Sequence, residues 1–300
     1  MDITKKSGDI CYNDENHIYW DATNGDIQFI SATALIHTFE QKFDKNFYSA
    51  LKALEILIPK DRWAMEKKSL LYSKRFDKKI LDLYDISEND FNREQQRILD
   101  EWEENNRSAC ERGTQLHADL ERSFYDSDTI NLGKFGIGGK FQCQRGNSSA
   151  NLKDGVYPEF MITYSSDDNI LNIAGQADLL IKDHNDIYII DHKFTKDIKT
   201  KGYFDQSKRT TQKMLYPLTN LDNCNYNLYQ LQLSLYAFMV KQQNPDCVIK
   251  DLMINHYDYN NNNTLYHCDY LEDEIKRMLA FYKKKLMRDR QKERRKPIVY

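Results

Sequence analysis

Two aspartates interrupt a stretch whose other residues are typical of buried β-strands. Residues 175–194 read GQADLLIKDHNDIYIIDHKF, in which Asp178 and Asp191 lie among aliphatic side chains. A hairpin that turns on His184-Asn185 would place the two aspartates directly opposite each other. Like charges in that position destabilise a sheet, whereas a divalent cation offsets them, because carboxylate oxygens are the ligands that Mg²⁺ prefers. The spacing therefore predicts a metal site at this pair.

A third carboxylate and a lysine are predicted to lie beside the two aspartates. If the preceding hairpin turns on Asp168-Asn169, Glu159 faces Asp178 across the sheet. Lys193 shares a face with Asp191, since side chains two positions apart in a strand point the same way. The triplet Asp-x-Lys is weak by itself, because the chain contains five other [DE]-x-K matches. The aliphatic residues before Asp191 and the acid on the neighbouring strand set this triplet apart.

Turn residues and hydrophobic periodicity predict the elements that hold these side chains. A hairpin over 17–30 turns on Asn24-Gly25, and Ser31 caps the helix that follows. The other predicted elements are two or three helices within 45–104 with breaks at Pro59 and at 86–87, a helix over 107–125, strands over 156–164, 170–181 and 186–194, a helix over 226–243, strands over 248–258 and 264–270, and a final helix from Leu271.

Two of the predicted helices carry polar residues at helical spacing. His117 and Glu121 are four positions apart, as are Gln232 and Tyr236, so each pair shares one face of its helix. A lone helix histidine is more often an ordinary packing residue than a ligand, and a Gln-Tyr pair can simply be the polar edge of a core helix. A functional role is favoured because these residues and the two aspartates occur in one particular order along the chain.

The composition is that of a folded protein. Charged residues make up 30% and hydrophobic residues 40% of the 300 positions, which is the usual balance of globular domains. No apolar run approaches the ~20 residues that cross a bilayer, and the N-terminal residues lack the apolar core of a signal peptide. We therefore expect a cytoplasmic protein that does not contact a membrane.

Cysteine and glycine spacing argues against several cofactors. The six cysteines include no C-x-x-C pair, so we expect neither structural zinc nor an iron–sulfur cluster. The segment GKFGIGGKF lacks the glycine and Ser/Thr positions of a phosphate-binding loop, so we expect no nucleotide cofactor.

Basic residues are concentrated in two segments of a chain whose net charge is −3. Residues 283–296 carry nine basic and two acidic side chains, and residues 195–215 carry six basic and two acidic ones. Local basic patches on an acidic body suit a polyanion that is held at a few places. A solvated terminal helix explains residues 283–296 equally well.

The motifs RGTQLHADLE, G-x-A-D, IIDHK and QLQLSLYA occur in this order over residues 107–240. Together they resemble the RecB-like nucleases of the PD-(D/E)xK superfamily, with the greatest similarity to small viral and phage exonucleases and some to the mitochondrial genome-maintenance exonuclease. The resemblance implies an α/β (α+β) fold with a restriction-endonuclease-like core, a central mixed β-sheet flanked by helices, and a mostly helical N-terminal extension. The predicted domains are an accessory region 1–92, a nuclease core 93–270 and a basic C-terminal helix 271–300.

The resemblance also implies roles for particular residues. Catalysis would rest on Asp178, Asp191 and Lys193, with one or two Mg²⁺ or Mn²⁺ ions bound by His117, the two aspartates and the backbone carbonyl of His192. Outer-shell waters would be held by Glu121 or Glu159. Gln232 and Tyr236 resemble the Gln-xxx-Tyr motif that supports the site and contacts the strand. The candidates for contacts with DNA phosphates are Lys196, Lys199, Lys208 and Arg209.

The implied function is a metal-dependent deoxyribonuclease. We expect an exonuclease that acts on single-stranded or end-bearing DNA in replication, recombination or repair, with proteins of those processes as possible partners. For a viral or phage protein the compartment would be the host cytoplasm. Two alternatives stay open: a structure-specific flap or junction endonuclease, and a catalytically silent nuclease fold that only binds DNA.

Overall fold

The computed structural model describes residues 4–7, 10–13, 18–21, 25, 27–144, 151–206 and 208–294. Its strands are β1 (Thr4–Ser7), β2 (Ile10–Asn13), β3 (Ile18–Asp21), β4 (Gln28–Ser31), β5 (Gly155–Ser165), β6 (Asn172–Asp183), β7 (Asp186–Phe194), β8 (Phe204–Asp205), β9 (Thr210–Thr211), β10 (Val248–Tyr257) and β11 (Asn263–Cys268). Its helices are α1 (Ala32–His37), α2 (Lys45–Leu57), α3 (Lys60–Ser73), α4 (Lys79–Leu83), α5 (Glu88–Tyr125), α6 (Asn225–Gln243) and α7 (Glu272–Arg294).

A mixed sheet forms the centre of the protein. Within the described ranges its strand order is β1-β2-β3-β4-β6-β7-β10-β11, and β5 pairs with the opposite edge of β6. Strands β5, β6 and β7 form the predicted antiparallel meander, whereas β10 runs parallel to β7 and β4 runs parallel to β6. Parallel neighbours need a crossover connection, and α6 lies in the one between β7 and β10.

Apolar side chains cover both faces of the sheet. On one face α1, α6 and α7 contribute Leu35, Leu235 and Met278 to the main core. On the other face Phe124, near the end of α5, and Phe135, in the loop that follows, pack against the strands. The predicted mixed α/β fold with flanking helices is therefore confirmed. No helix in the described part of the chain is both long enough and apolar enough to span a membrane.

The N-terminal helices have a core of their own. Leu54, Trp63, Leu81 and Ile98 from α2, α3, α4 and the first part of α5 are buried together. The helical N-terminal portion is thus present as predicted. The domain boundaries near 92 and 270 stay predictions, and α5 crosses the first of them.

The helix breaks at Pro59 and at 86–87 lie where they are predicted. A further break separates α3 from α4, because α3 ends at Ser73 and Lys74 has a φ of +53°, so residues 45–104 contain more helices than the predicted two or three. α2 ends at Leu57 and α3 begins after Pro59, where the missing proline N–H costs no helical hydrogen bond. The side chain of Ser87 accepts a hydrogen bond from Asp90 N and so caps α5. The expected interruption between 104 and 107 is absent, because α5 is one helix of 38 residues. The residues at that point include neither glycine nor proline.

The two central hairpins have the predicted registers. Asp183 pairs with Asp186 across His184-Asn185, and Ser165 pairs with Asn172. The cap of α1 is also as predicted, since Ser31 Oγ accepts a hydrogen bond from Ala34 N at 3.0 Å.

The N-terminal hairpin forms, and the register of its strands differs from the predicted one. Trp20 lies opposite Gln28, which is one residue out of register with a two-residue turn on Asn24-Gly25. In the same register Asp21 N donates a hydrogen bond to Ile27 O at 3.0 Å. Asn24 itself lies outside the described residues.

Helix α6 packs directly onto the backbone of β6 at Gly175. A Cβ atom at this position would overlap Cε1 of Tyr236 and would lie 3.1 Å from the Cβ of Ala32. Tyr236 is buried, so its ring has no free space to move into. The glycine of the G-x-A-D motif therefore has a packing role: it lets the helix approach the strand that carries Asp178.

We expect Gly175→Ala to destabilise the protein by about 1–3 kcal/mol, the usual cost of an extra methyl group in a packed core. Urea unfolding monitored by circular dichroism measures this loss. Gly138→Ala is the matched control, because a Cβ there would meet no heavy atom within 4 Å. Equal stability of the two variants would contradict the close approach of α6 to β6.

Candidate metal centre

The two aspartates lie where β6 and β7 separate. The last pair of their ladder is Leu179 with Ile190, and Asp178 and Asp191 are the next positions in that register. At this point a side chain takes the place of a backbone acceptor, since Asp178 Oδ2 accepts a hydrogen bond from His192 N at 2.5 Å. Beyond this point β7 continues beside β10. The opening between the strands thus begins at the two acids.

An irregularity in β5 places a third carboxylate at the same opening. Pro158 pairs with Leu179 and Phe160 with Ala177, so Glu159 stands across from Asp178 as predicted. Its φ is +46°, in the left-handed region, where a residue other than glycine costs about 1–3 kcal/mol. Such strain persists only where the surrounding structure imposes it.

The burial pattern records the same irregularity in both strands. Tyr157 and Phe160 are three residues apart in β5, and Ala177 and Leu180 are three apart in β6, yet all four contribute to the main core. Regular strands repeat every two residues. The sheet therefore changes which positions face the core at Glu159 and Asp178, which frees the side chains of both acids for contacts with α5.

His117 on α5 joins the two acids. Its Nδ1 lies 3.4 Å from Glu159 Oε1 and 3.5 Å from Asp178 Oδ1, and its Nε2 lies 3.1 Å from the carbonyl oxygen of His192. One ligand atom from each of His117, Glu159 and Asp178 lies within 4.8 Å of the others. These three residues form a group that can hold a divalent cation.

Asp191 lies beside this group and is paired with Lys193. Lys193 Nζ is 3.0 Å from Oδ1 and 2.8 Å from Oδ2 of Asp191, but only the contact with Oδ1 has hydrogen-bond geometry. Asp191 is 1% exposed, and its Oδ2 is a buried acceptor without a hydrogen bond. The ring centroid of Tyr229 lies 5.1 Å from Lys193 Nζ, which gives the ammonium an aromatic neighbour.

Burial and the crowding of charges shift the pKa values of the group. Burial and then the charge of Asp191 raise the pKa of Asp178 to about 7. Burial lowers the pKa of His117, but the hydrogen bond that it donates to Glu159 and the charge of Asp178 outweigh burial and raise the pKa to about 9. Without a metal His117 is thus an imidazolium, which matches the acceptors that face both of its nitrogens.

The neighbouring residues in IIDHK are shifted in opposite directions. Burial and then the charge of His117 lower the pKa of His192 to about 3, so this imidazole is neutral. Burial also lowers the pKa of Lys193, but the carboxylates of Asp191 and Asp178 outweigh it and raise the pKa above its ordinary value. Lys193 is therefore an ammonium.

The residues present fit a divalent cation with hard ligands. The group offers one imidazole, carboxylate oxygens and the carbonyl of His192, which are ligands that Mg²⁺ and Mn²⁺ accept.

A cleft of about 800 Å³ leads to this group. Strand β7 forms its floor through His192, Lys193 and Phe194, and α1, α5 and α6 form its walls. Gln232 lines the cleft, and its Nε2 donates a hydrogen bond to Tyr236 Oη at 3.0 Å. The predicted Gln-Tyr pair is thus a wall residue held by a buried one.

The other predicted site residues lie around this cleft or away from it. Glu121 is half-buried on α5, one turn beyond His117, and is not part of the three-residue ligand group. The predicted phosphate contacts are exposed on the segment that follows β7 and stay predictions: Lys196, Lys199, Lys208 and Arg209. Tyr229 is a site residue that the sequence analysis did not predict. It lies one helical turn before Gln232, and this spacing could have indicated it.

Comparisons with known proteins give no family. No protein-family profile and no curated protein matches the chain. The crystal structure of SSO0001 is 16% identical over 58% of this chain, with a TM-score of 0.30, and the chain spans 58% of that protein's length. A structure named "Putative exonuclease", from Eubacterium rectale, is 11% identical over 84% of this chain and 70% of its own, with a TM-score of 0.31. Similarities this distant do not match residues one to one.

We expect the affinity for Mn²⁺ to increase with pH between about 6 and 9, because the metal must displace the proton of His117 and, near neutral pH, that of Asp178. The increase is at most about tenfold per pH unit for each proton released. Isothermal titration calorimetry in buffers of different ionisation enthalpy measures both the affinity and the protons released. Binding that is independent of pH and releases no proton would show that these two residues are not ligands.

Asp178→Asn is expected to weaken Mn²⁺ binding and to stabilise the metal-free protein more at pH 8 than at pH 5. Because the folded-state pKa of Asp178 is raised to about 7, the folded wild type loses stability as the pH rises from about 4 to 7. The neutral amide avoids this loss and can still accept from His192 N. Thermal melts in chelator at both pH values measure the difference. A variant that is less stable at pH 8 would contradict the crowded-carboxylate arrangement.

Proposed function

We propose that this protein is a Mg²⁺- or Mn²⁺-dependent nuclease that hydrolyses phosphodiester bonds of DNA. The observation that carries the proposal is that His117 and a charged Lys193 line an open cleft, and that both contact carboxylates: His117 those of Glu159 and Asp178, Lys193 that of Asp191. A cluster of carboxylates attracts metal rather than phosphate, so a substrate anion needs the metal and the lysine to enter. This combination suits the transfer of a phosphoryl group to water.

The metal would be held by His117, Glu159, Asp178 and the His192 carbonyl. Asp191, the position opposite Asp178 in the ladder register, is the candidate for a ligand to this ion or to a second one. When bound, a divalent ion polarises a phosphate oxygen and lowers the pKa of a bound water. The choice between Mg²⁺ and Mn²⁺ is open, because an imidazole among oxygen ligands suits both.

Lys193 acts as a donor in this proposal. Its raised pKa keeps it an ammonium, so it orients the attacking water or stabilises charge that develops on the phosphate. A proton-accepting role is disfavoured, since an ammonium has no lone pair. Asp191 fixes the position of Nζ, and Tyr229 supports it from the cleft side. Gln232 and the exposed lysines after β7 would contact the strand.

An exonuclease is the form of activity that we favour, and a flap or junction endonuclease is the alternative. An end-labelled linear single strand and a closed single-stranded circle, each incubated with Mg²⁺ or Mn²⁺, separate the two. Rapid cutting of the circle would refute a strict exonuclease. Absence of cleavage of every DNA and RNA substrate with either metal would refute the nuclease and leave a silent DNA-binding module.

Lys193→Ala is expected to lower the cleavage rate by about 10²–10³-fold, the usual effect of removing one donor to a developing charge. DNA binding should change little, because Lys193 is one of many basic groups and is largely buried. Lys60→Ala is the matched control, since this lysine is exposed on α3. Single-turnover cleavage and fluorescence anisotropy measure the two properties. An unchanged cleavage rate in Lys193→Ala would refute the assignment of the site.

A further inference from the structure

Four aromatic rings from separate parts of the chain form a contiguous surface beside the N-terminal helices. The ring of Phe43 stacks on Tyr48 at 4.8 Å with an angle of 12°, and it lies 5.7 Å from Trp102. Tyr203, which immediately precedes β8, meets Tyr48 edge-on at 6.2 Å. We call Phe43, Tyr48, Trp102 and Tyr203 the aromatic platform.

The platform is open to solvent although its rings are ordered against each other. Phe43 is 59% exposed and Tyr203 is 46% exposed. Single exposed apolar residues are common and need no explanation. A contiguous set of aromatic rings, two of them parallel and one largely uncovered, is different, because it presents a flat apolar face to which another ring can add.

A lysine lies among these rings. Lys74 Nζ is 5.5 Å from the ring centroid of Tyr48 and 5.2 Å from that of Tyr203, and it donates a hydrogen bond to Tyr48 Oη at 3.1 Å. The segments around the platform, 42–45 and 201–209, add Lys42, Lys45, Lys201, Lys208 and Arg209 against Asp44 and Asp205. The side of the platform formed by Phe43, Tyr48 and Tyr203 is therefore positive as well as aromatic, which suits a ligand that is flat, apolar on its faces and anionic along its backbone. The segment around Trp102 is acidic, since residues 100–104 read DEWEE.

The platform borders the cleft of the candidate metal centre. Trp102 lies one helical turn before Asn106 on α5, and Asn106 lines the cleft. His37 lines both the cleft and the adjoining hollow that contains Lys42, the neighbour of Phe43. From Trp102 to His117 the helix rises about 22 Å at 1.5 Å per residue, a distance that a strand of several nucleotides can span.

We propose that the aromatic platform binds the bases of single-stranded DNA whose backbone passes through the cleft. This proposal rests on the proposed nuclease function and adds the substrate form that the site takes. Stacking on aromatic side chains requires bases with an exposed face, which a duplex does not offer along its length. Phe43 provides the open ring, and Lys74 with its basic neighbours provides contacts for the phosphates.

The test compares DNA binding by variants of the full-length chain in chelator, where a metal-dependent nuclease cannot cut. Fluorescein-labelled dT16 and a blunt duplex are the probes, and fluorescence anisotropy is the readout. Phe43→Ala removes the open ring and Phe43→Trp keeps one. Tyr72→Ala is the matched control, because Tyr72 is 71% exposed on α3 and is not part of the platform.

We expect Phe43→Ala to weaken dT16 binding by about tenfold, within the range measured for one base stacked on an aromatic side chain. Phe43→Trp and Tyr72→Ala should bind dT16 like the wild type. A 2-aminopurine base in dT16 should be quenched by the wild type and not by Phe43→Ala.

Several results would overturn the proposal. They are wild-type binding of dT16 that is no tighter than binding of duplex, equal binding by Phe43→Ala and wild type, and an equal loss of affinity for duplex and dT16. A loss by Phe43→Trp as large as that by Phe43→Ala would instead indicate a protein surface for which shape matters. Should thermal melts show that Phe43→Ala is unfolded, Tyr203→Ala carries the same expectation.

Hydrolysis of bis(p-nitrophenyl) phosphate with Mn²⁺ separates this proposal from the proposed function. This small diester needs the metal centre and not the platform, so Phe43→Ala should hydrolyse it at the wild-type rate. Hydrolysis without any effect of Phe43→Ala on dT16 binding would refute the platform alone. A platform effect on binding without hydrolysis of any substrate would refute the nuclease and keep the platform as a single-strand binding surface.

Discussion

The burial of negative charge at one point of the sheet is the constraint on which the site depends. Asp178 is 9% exposed and Asp191 is 1% exposed, and Glu159 adds a third carboxylate beside them. Buried charges are tolerated only when cations or donors reach them. His117 pairs with Glu159 and Asp178, and Lys193 pairs with Asp191. The backbone amide of His192 donates a hydrogen bond to Asp178. Each of these partners comes from a different element or position, so the fold must bring them together.

Backbone strain in β5 accompanies this grouping of charged side chains. Glu159 adopts a left-handed conformation in the middle of β5, and the core-facing positions of β5 and β6 change their alternation beside it. Regular strands would direct Glu159 and Asp178 according to the twofold repeat of the sheet. The departure from regular strand geometry lies at the acids themselves, and it directs the carboxylates of Glu159 and Asp178 toward α5. A structural role alone would be met more simply by an apolar pair at this position.

How much of this could be predicted depends on how local each feature is. The opposition of Asp178 and Asp191 and the position of Glu159 follow from two short turns, because a turn fixes the register of both its strands. The grouping of Glu159 with His117 depends on one φ angle that no sequence pattern reveals. The parallel pairing of β4 with β6 and the continuity of α5 through 104–107 arise from contacts between distant segments. Residue roles in catalysis stay predictions, since they require chemistry to be measured.

Helix α5 connects the two parts of the molecule without a break. It buries Ile98 in the core of the N-terminal helices and Phe124 against the sheet, and it contains one glycine and no proline over its 38 residues. That glycine, Gly113, is the point of close approach to β7, where an added Cβ would lie 4.0 Å from the Cβ of Phe194. His117 follows one turn later. The place where α5 touches β7 therefore fixes His117 against the acids, and the rise of the same helix fixes its distance from Trp102. Under the two proposals, the length of one helix sets how many nucleotides separate a stacked base from the bond that is cut.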